Sequence, residues 1–211
     1  MEKLLLFGGT FDPPHNGHMA LLSACLAAVQ PNRALVMPAG VPPHKQASAT
    51  PGALRAEMCG CFRVLSPCVE VSLWEMGQGG KNYTVDTLCM LQKAYPGARL
   101  HLCLGSDMLL SFRAWRRWRD ILRISALVVH SRENGDEPAL AAAAQALAAE
   151  GADILFAPGT VLEISSTQVR ALAARGGDIS PLVPAEVQRI ILREGLYRGG
   201  TDTTYKEARC H

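Results

Sequence analysis

Leu4-Leu5-Leu6-Phe7-Gly8-Gly9-Thr10-Phe11-Asp12-Pro13-Pro14-His15-Asn16-Gly17-His18 is an apolar run, two glycines, a proline-stiffened turn and then a change of pattern. The run Leu4 to Phe7 has no polar alternation, so it reads as a strand buried on both faces. Gly8 and Gly9 follow it directly, and small residues there let the backbone approach a ligand closely. Pro13 and Pro14 stiffen the loop. Asn16 or Gly17 then leads into a helix over Met19 to Val29. The first N–H groups of such a helix are unpaired and carry the positive end of its dipole. A strand, loop and helix in this order offer an anion a site built from backbone alone. His15 and His18 are three residues apart at the helix start, so both can face that anion. Residue chemistry alone leaves two readings open: imidazole donors to a polyphosphate, or loop histidines with metal-like spacing or no role. The segment is neither the Gly-x-Gly-x-x-Gly fingerprint nor a P-loop.

The same alternation continues along the chain. Strands are expected at Ala34 to Met37, Val69 to Ser72, Arg99 to Leu104, Ala126 to Val129 and Ile154 to Phe156. Helices are expected at Gly52 to Leu65, Thr84 to Tyr95, from Ser106 onward, Glu137 to Glu150, Ser166 to Ala174 and Ala185 to Glu194. Short strands alternating with longer helices predict an α/β fold: a single-domain, doubly wound parallel sheet covered on both faces. Such sheets bind ligands at the carboxyl ends of their strands, where the strand order reverses. The domain is expected to span residues 1–198, because Gly199 to His211 is polar and lacks a periodic apolar face. That tail is expected to be mobile.

With 211 residues, 48% of them hydrophobic, the chain can bury one medium-sized core. A net charge of +2 implies neither a nucleic-acid nor a membrane partner. The local exception is Arg113 to Arg119, four Arg and two Trp, which reads as a solvated face with aromatic anchors or as a patch that meets a phosphate. No apolar run reaches the ~18 residues of a membrane span. Leu4 to Phe7 is too short and wrongly flanked for a signal peptide, so a cytoplasmic location is expected. The seven cysteines match no disulfide framework, and Cys59-Gly60-Cys61 lacks the second pair that a zinc site needs; most read as buried thiols, and no protein-held metal is expected. The sequence carries no sign of oligomeric state.

A second segment, Ile164-Ser165-Ser166-Thr167-Gln168-Val169-Arg170, precedes the helical pattern Val169, Leu172, Ala173. Hydroxyl residues at that place are natural N-caps and can also donate to phosphate oxygens. Arg170, one turn further in, can reach the same site as a permanent, forked cation. Alone, this is equally a plain capped helix with a surface arginine.

Together the two segments resemble the nucleotidyltransferase superfamily, which shares an H-x-G-H element and an I-S-S-T-x-x-R element. Further segments resemble the bacterial nicotinate-nucleotide adenylyltransferases: Pro42-Pro43-His44-Lys45, Tyr83-Thr84 with Thr87-Leu88, Gly105-Ser106-Asp107, Trp115, Ser131-Arg132 and Gly195-Leu196-Tyr197. The resemblance covers about residues 3–198. It implies a Rossmann-like nucleotidyltransferase fold and transfer of AMP from Mg²⁺-bound ATP to nicotinate mononucleotide, giving deamido-NAD and pyrophosphate. It implies that Gly8, Gly9, Thr10, Phe11, Gly105, Asp107, Ile164, Ser165, Ser166 and Thr167 hold ATP. His15, His18 and Arg170 would be catalytic, with His18 stabilising the transition state. His44, Lys45, Tyr83, Thr84, Trp115 and Arg132 would lie at the second substrate, Trp115 stacking on the pyridine ring.

Physical chemistry agrees with that reaction. The nucleophile is a 5′-phosphate with a second pKa of about 6, largely ionised at neutral pH, so no general base is required. What remains is alignment and charge stabilisation. Thr84 is expected to cap the helix that follows, whose N–H groups favour a carboxylate over an amide by about 1 kcal/mol. Two features depart from the family: Gly40 replaces a polar residue of some relatives, and Arg113 to Arg119 is unusually basic. Alternatives are action on nicotinamide mononucleotide or phosphopantetheine, or a non-catalytic nucleotide sensor. Phosphopantetheine enzymes usually carry Thr where His15 stands, and a sensor would be expected to lack a motif residue.

Overall fold

A computed structural model describes residues 1–40, 50–79, 81–131 and 137–198. The opening strand β1 (Lys3–Gly9) has Leu4, Leu5, Leu6 and Phe7 all buried, which is why its apolar run shows no alternation. The chain then runs α1 (Asn16–Val29), β2 (Arg33–Pro38), α2 (Gly52–Met58), β3 (Val69–Val71), α3 (Thr84–Ala94) and β4 (Arg99–Gly105). It continues through α4 (Ser106–Leu110), α5 (Trp118–Ile124), β5 (Ser125–His130), α6 (Glu137–Ala148), β6 (Ile154–Phe156), α7 (Ser166–Ala174) and α8 (Ala185–Glu194). The six strands are parallel and ordered β3-β2-β1-β4-β5-β6. The chain steps outward from β1 to β3, returns to β4 beside β1, and steps outward the other way. The order therefore reverses between β1 and β4, and the crevice at their carboxyl ends is the expected ligand position.

Successive strand residues face opposite sides, and each side has its own core. Leu5, Phe7, Val36, Cys103 and Val128 pack with Leu22 and Cys25 of α1, Val169 of α7 and Ile190 of α8. Leu4, Leu6, Met37, Leu102 and Val129 pack with Leu88 of α3, Ile121 of α5 and Leu140 of α6. The edge strands β3 and β6 are only three residues long, which limits the unpaired backbone they present.

Two expected helices differ in form, and one short turn appears where none was expected. The helix expected over Gly52 to Leu65 is α-helical to Met58 and a 3-10 helix over Cys59–Leu65; Gly60 at its centre lowers the α-helical preference there. The stretch from Ser106 onward breaks after Leu110 into a 3-10 turn at Phe112–Ala114, and α5 restarts after Arg117 at a left-handed φ of 53°. A 3-10 turn at Glu75–Gly77 is too short to show in periodicity.

The six described cysteines are free thiols. Cys25, Cys59, Cys61 and Cys103 are buried, and burial pushes Cys61 up to about 12. Within Arg113 to Arg119, Arg117 pairs with Asp120 and Arg119 with Glu150, while the Arg116 guanidinium lies 4.5 Å from the Tyr83 ring centroid. The solvated-face reading fits these pairs. No described helix is long and apolar enough to cross a membrane. The segment 199–211 lies outside the described residues.

Candidate active site

The loop after β1 enters the crevice between β1 and β4. Phe11 takes a left-handed φ of 49° and turns its ring back into the core, where it packs on Phe7, Phe62 and His18. That ring occupies the space above Gly9: a Cβ there would meet it at 2.9 Å. Phe11 is 2% exposed, so what it can offer a nucleotide is its backbone, while its ring braces His18. The Asp12–Pro13 peptide is cis.

Helix α1 begins in an unusual way. His15 is its N-cap, with extended backbone, and its Nδ1 accepts from the N–H of His18 at 3.3 Å. His18 Nδ1 accepts in turn from the N–H of His15 at 3.3 Å. The two rings stack with centroids 3.6 Å apart. Because both Nδ1 atoms accept, each neutral ring carries its proton on Nε2, the edge opposite the helix. His15 is buried and His18 partly exposed. Gly17 lets another segment come close: a Cβ there would meet the Leu162 carbonyl at 3.0 Å and the His15 ring at 3.1 Å.

Through that contact the second motif reaches the first. Ser165 caps α7 by accepting from the N–H of Gln168, and the Gln168 side chain accepts from the N–H of Ser165. Ser166 Oγ donates to the Pro13 carbonyl at 2.9 Å. Arg170 donates to the Asp12 carbonyl at 2.7 Å and to Thr167 Oγ1 at 3.1 Å. Those two bonds leave other guanidinium donors of Arg170 for a ligand. Tyr197 donates to the Asp12 carboxylate at 2.5 Å, and burial together with that carboxylate pushes its hydroxyl well up, so it stays protonated. The amino ends of α1 and α7 thus meet across residues 12 and 13, two positive helix ends beside two imidazoles and a guanidinium.

Gly105 ends β4, and Asp107 is exposed in the first turn of α4, on the other bank of the crevice. Further along, Tyr83 rather than Thr84 holds the N-cap position of α3, and it makes no side-chain cap bond. Thr84 is instead the first helical residue, because the chain turns into the helix one residue earlier than a hydroxyl cap requires. The Asp86 N–H bonds to the Tyr83 carbonyl at 2.9 Å, and the N-cap side chain satisfies none of the N–H groups of this first turn. Trp115 packs on Phe112 with centroids 5.3 Å apart, and Arg116 links its loop to Tyr83. Gly40 backs onto this region: a Cβ there would meet the Glu75 carbonyl at 2.5 Å and Asn82 Oδ1 at 2.6 Å, so only glycine fits. His44, Lys45 and Arg132 lie outside the described residues. No three His, Cys, Asp or Glu side chains gather as a metal site among the described residues.

Sequence reasoning missed Tyr197 and Arg55, whose side chains bond to the Asp12 carboxylate and to the Thr10 carbonyl. Tyr197 carried no signal beyond the Gly195-Leu196-Tyr197 resemblance. Arg55 carried one: it falls in the stripe Arg55, Met58, Cys59, Phe62, whose other members are all buried.

A family model described as cytidylyltransferase-like matches residues 6–172. A protein of Trichlorobacter lovleyi is 36% identical over 214 residues, covering 93% of this chain and 99% of its own. One of Acidithiobacillus ferrooxidans is 37% identical over 212 residues, covering 93% and 96%. Both bear the name "Probable nicotinate-nucleotide adenylyltransferase". Among solved structures, Plasmodium falciparum nicotinic acid mononucleotide adenylyltransferase complexed with APC superposes with a TM-score of 0.75 at 17% identity, covering 93% of this chain and 98% of that one. The same enzyme complexed with NaAD gives 0.74 at 16% identity, with the same coverage. At those identities the superpositions speak for the fold.

Proposed function

The chain belongs to the nicotinate-nucleotide adenylyltransferases of the cytidylyltransferase-like family, and from that premise we propose that it transfers AMP from ATP to nicotinate mononucleotide. A 5′-phosphate oxygen of the mononucleotide attacks the α-phosphorus of ATP. The bond from that phosphorus to the β-phosphate bridge breaks, pyrophosphate leaves, and deamido-NAD forms in NAD biosynthesis. The observation that carries this reading is the reciprocal capping of His15 and His18 where the amino ends of α1 and α7 meet. Both rings present Nε2–H donors, which is what charge accumulating on a transferring phosphoryl group needs. Neither is arranged as a base, and the ionised phosphate needs none.

His18, the more exposed ring, is assigned to the α-phosphate, and buried His15 to orienting it and the triphosphate. Thr10, Ser166, Thr167 and Arg170 are assigned to the phosphates, with backbone contributions from Gly8, Gly9, Phe11, Ile164 and Ser165. Gly105 and Asp107 are assigned to the nucleoside. Mg²⁺ enters on the triphosphate as part of the substrate. His44, Lys45 and Arg132 are placed near the phosphates by resemblance alone. The pyridine ring is assigned to the space between Trp115 and Tyr83-Thr84. There the uncapped start of α3 favours a carboxylate over a carboxamide by about fivefold. Residues 1–198 form the catalytic unit in this reading. A cytoplasmic setting, reducing and supplied with ATP, suits the free thiols, including Cys25 and Cys103 with sulfurs 3.0 Å apart.

The test is a pyrophosphate-release assay that pairs ATP in turn with nicotinate mononucleotide, nicotinamide mononucleotide and phosphopantetheine. Turnover with the nicotinate form, at a kcat/KM at least about fivefold above the nicotinamide form, is expected. Turnover with phosphopantetheine alone, or with none of the three, would sink the reading.

A further inference from the structure

Arg55 of α2 is 4% exposed, yet no carboxylate pairs with it among the described residues. A buried charge without a counter-ion is costly, and an apolar side chain of similar length would usually serve stability better. Among the described residues its hydrogen-bond partners are all backbone carbonyls. Nη1 donates to Thr10 O and to Ala39 O, each at 2.8 Å. Nε reaches Thr50 O at 3.4 Å and Nη2 reaches Gly40 O at 3.5 Å.

The position of these carbonyls gives the arrangement its meaning. The bond from the Ala39 N–H to the Gly9 carbonyl, 2.8 Å, lies at the very end of the β1–β2 pair. Immediately beyond it the Thr10 and Ala39 carbonyls have no strand to pair with, and one nitrogen of Arg55 takes both. The guanidinium therefore ties off the end of the β1–β2 ladder at the point where the chain leaves for His15 and His18. Its planar fork suits several acceptors spread around one group; an ammonium is a point charge that cannot span them in the same way.

We infer that Arg55 is a positioning residue for adenylyl transfer, its guanidinium holding the Thr10 carbonyl against Ala39 and so setting the path of the loop that delivers His15 and His18. The inference rests on the reading of the histidines given above. Arg55 is shut away beneath the loop and acts on the reaction through it. Displacement of catalytic donors by a fraction of an ångström lowers the rate of the chemical step more than it lowers ground-state binding.

The experiment compares wild type, Arg55→Met and Arg55→Lys in pyrophosphate release with saturating ATP and varied nicotinate mononucleotide, with melting temperatures recorded alongside. In both variants kcat is expected to fall about tenfold or more, while KM for the mononucleotide moves by less than about threefold. Arg55→Lys is expected not to rescue, although it keeps the charge. Should Arg55→Met fail to fold, Arg55→Lys carries the test. A kcat within about twofold of wild type in either folded variant overturns the inference, even if the melting temperature falls, and so does a rise in KM with kcat unchanged. A wild-type protein that releases no pyrophosphate with this acceptor would instead count against the functional reading.

Discussion

Capping boxes are ordinarily built from a hydroxyl side chain at the N-cap and a Glu or Gln three residues later. In this protein His15 and His18 take both positions, and the same bonds that start α1 set the tautomer of each ring. The identities and spacing of these residues were legible in the sequence, as was their chance of facing one anion. Their mutual bracing was not, because it depends on the extended backbone at His15 and on stacking that spacing alone cannot show. Phe11 teaches the converse: it belongs to the motif string, but its ring is core. On the proposed reading, His18→Ala removes a transition-state donor at the cost of one cap bond. It should cut kcat by about two orders of magnitude or more, while stability falls by only about 1 kcal/mol. Steady-state kinetics beside a denaturant titration check this, and near-normal turnover would remove His18 from the chemistry.

Helices and strands were legible where a pattern is local. The bounds of α7, α8 and β6 are those expected from the sequence, since each has a cap, a proline or an apolar run that marks its ends. Where tertiary packing decides, the structure departs from the local pattern: the 3-10 continuation after Met58, the broken stretch after Leu110, and the cap of α3. The departure at Thr84 bears on the proposed function, since an uncapped helix start is a better place for a carboxylate than a capped one. The start of α7 is the opposite case, held by Ser165 and Gln168. Ser165→Ala should lower stability by about 1 kcal/mol and raise KM for ATP more than KM for the mononucleotide. Thermal melts and two-substrate kinetics measure both, and an unchanged KM for ATP would detach this helix end from the triphosphate.

Across the molecule, alternation of strands and helices predicted a doubly wound sheet, but no local pattern says which strands are neighbours. The order β3-β2-β1-β4-β5-β6 puts the reversal beside the glycine-ended strand β1, where the candidate site lies. Nor could spacing reveal how distant segments meet. Ser166 and Arg170 fasten onto the carbonyls of Pro13 and Asp12, and Tyr197, near the end of α8, fastens onto the Asp12 side chain. Three parts of the chain thus converge on one turn, and that turn carries the histidines. In the proposed transfer the acceptor's own phosphate oxygen becomes the bridge of the dinucleotide. Nicotinate mononucleotide labelled with oxygen-18 in its phosphate, incubated with unlabelled ATP and the protein, can be followed by mass spectrometry of both products. The label is expected entirely in deamido-NAD and not in pyrophosphate; label in pyrophosphate, or no dinucleotide at all, would contradict the account.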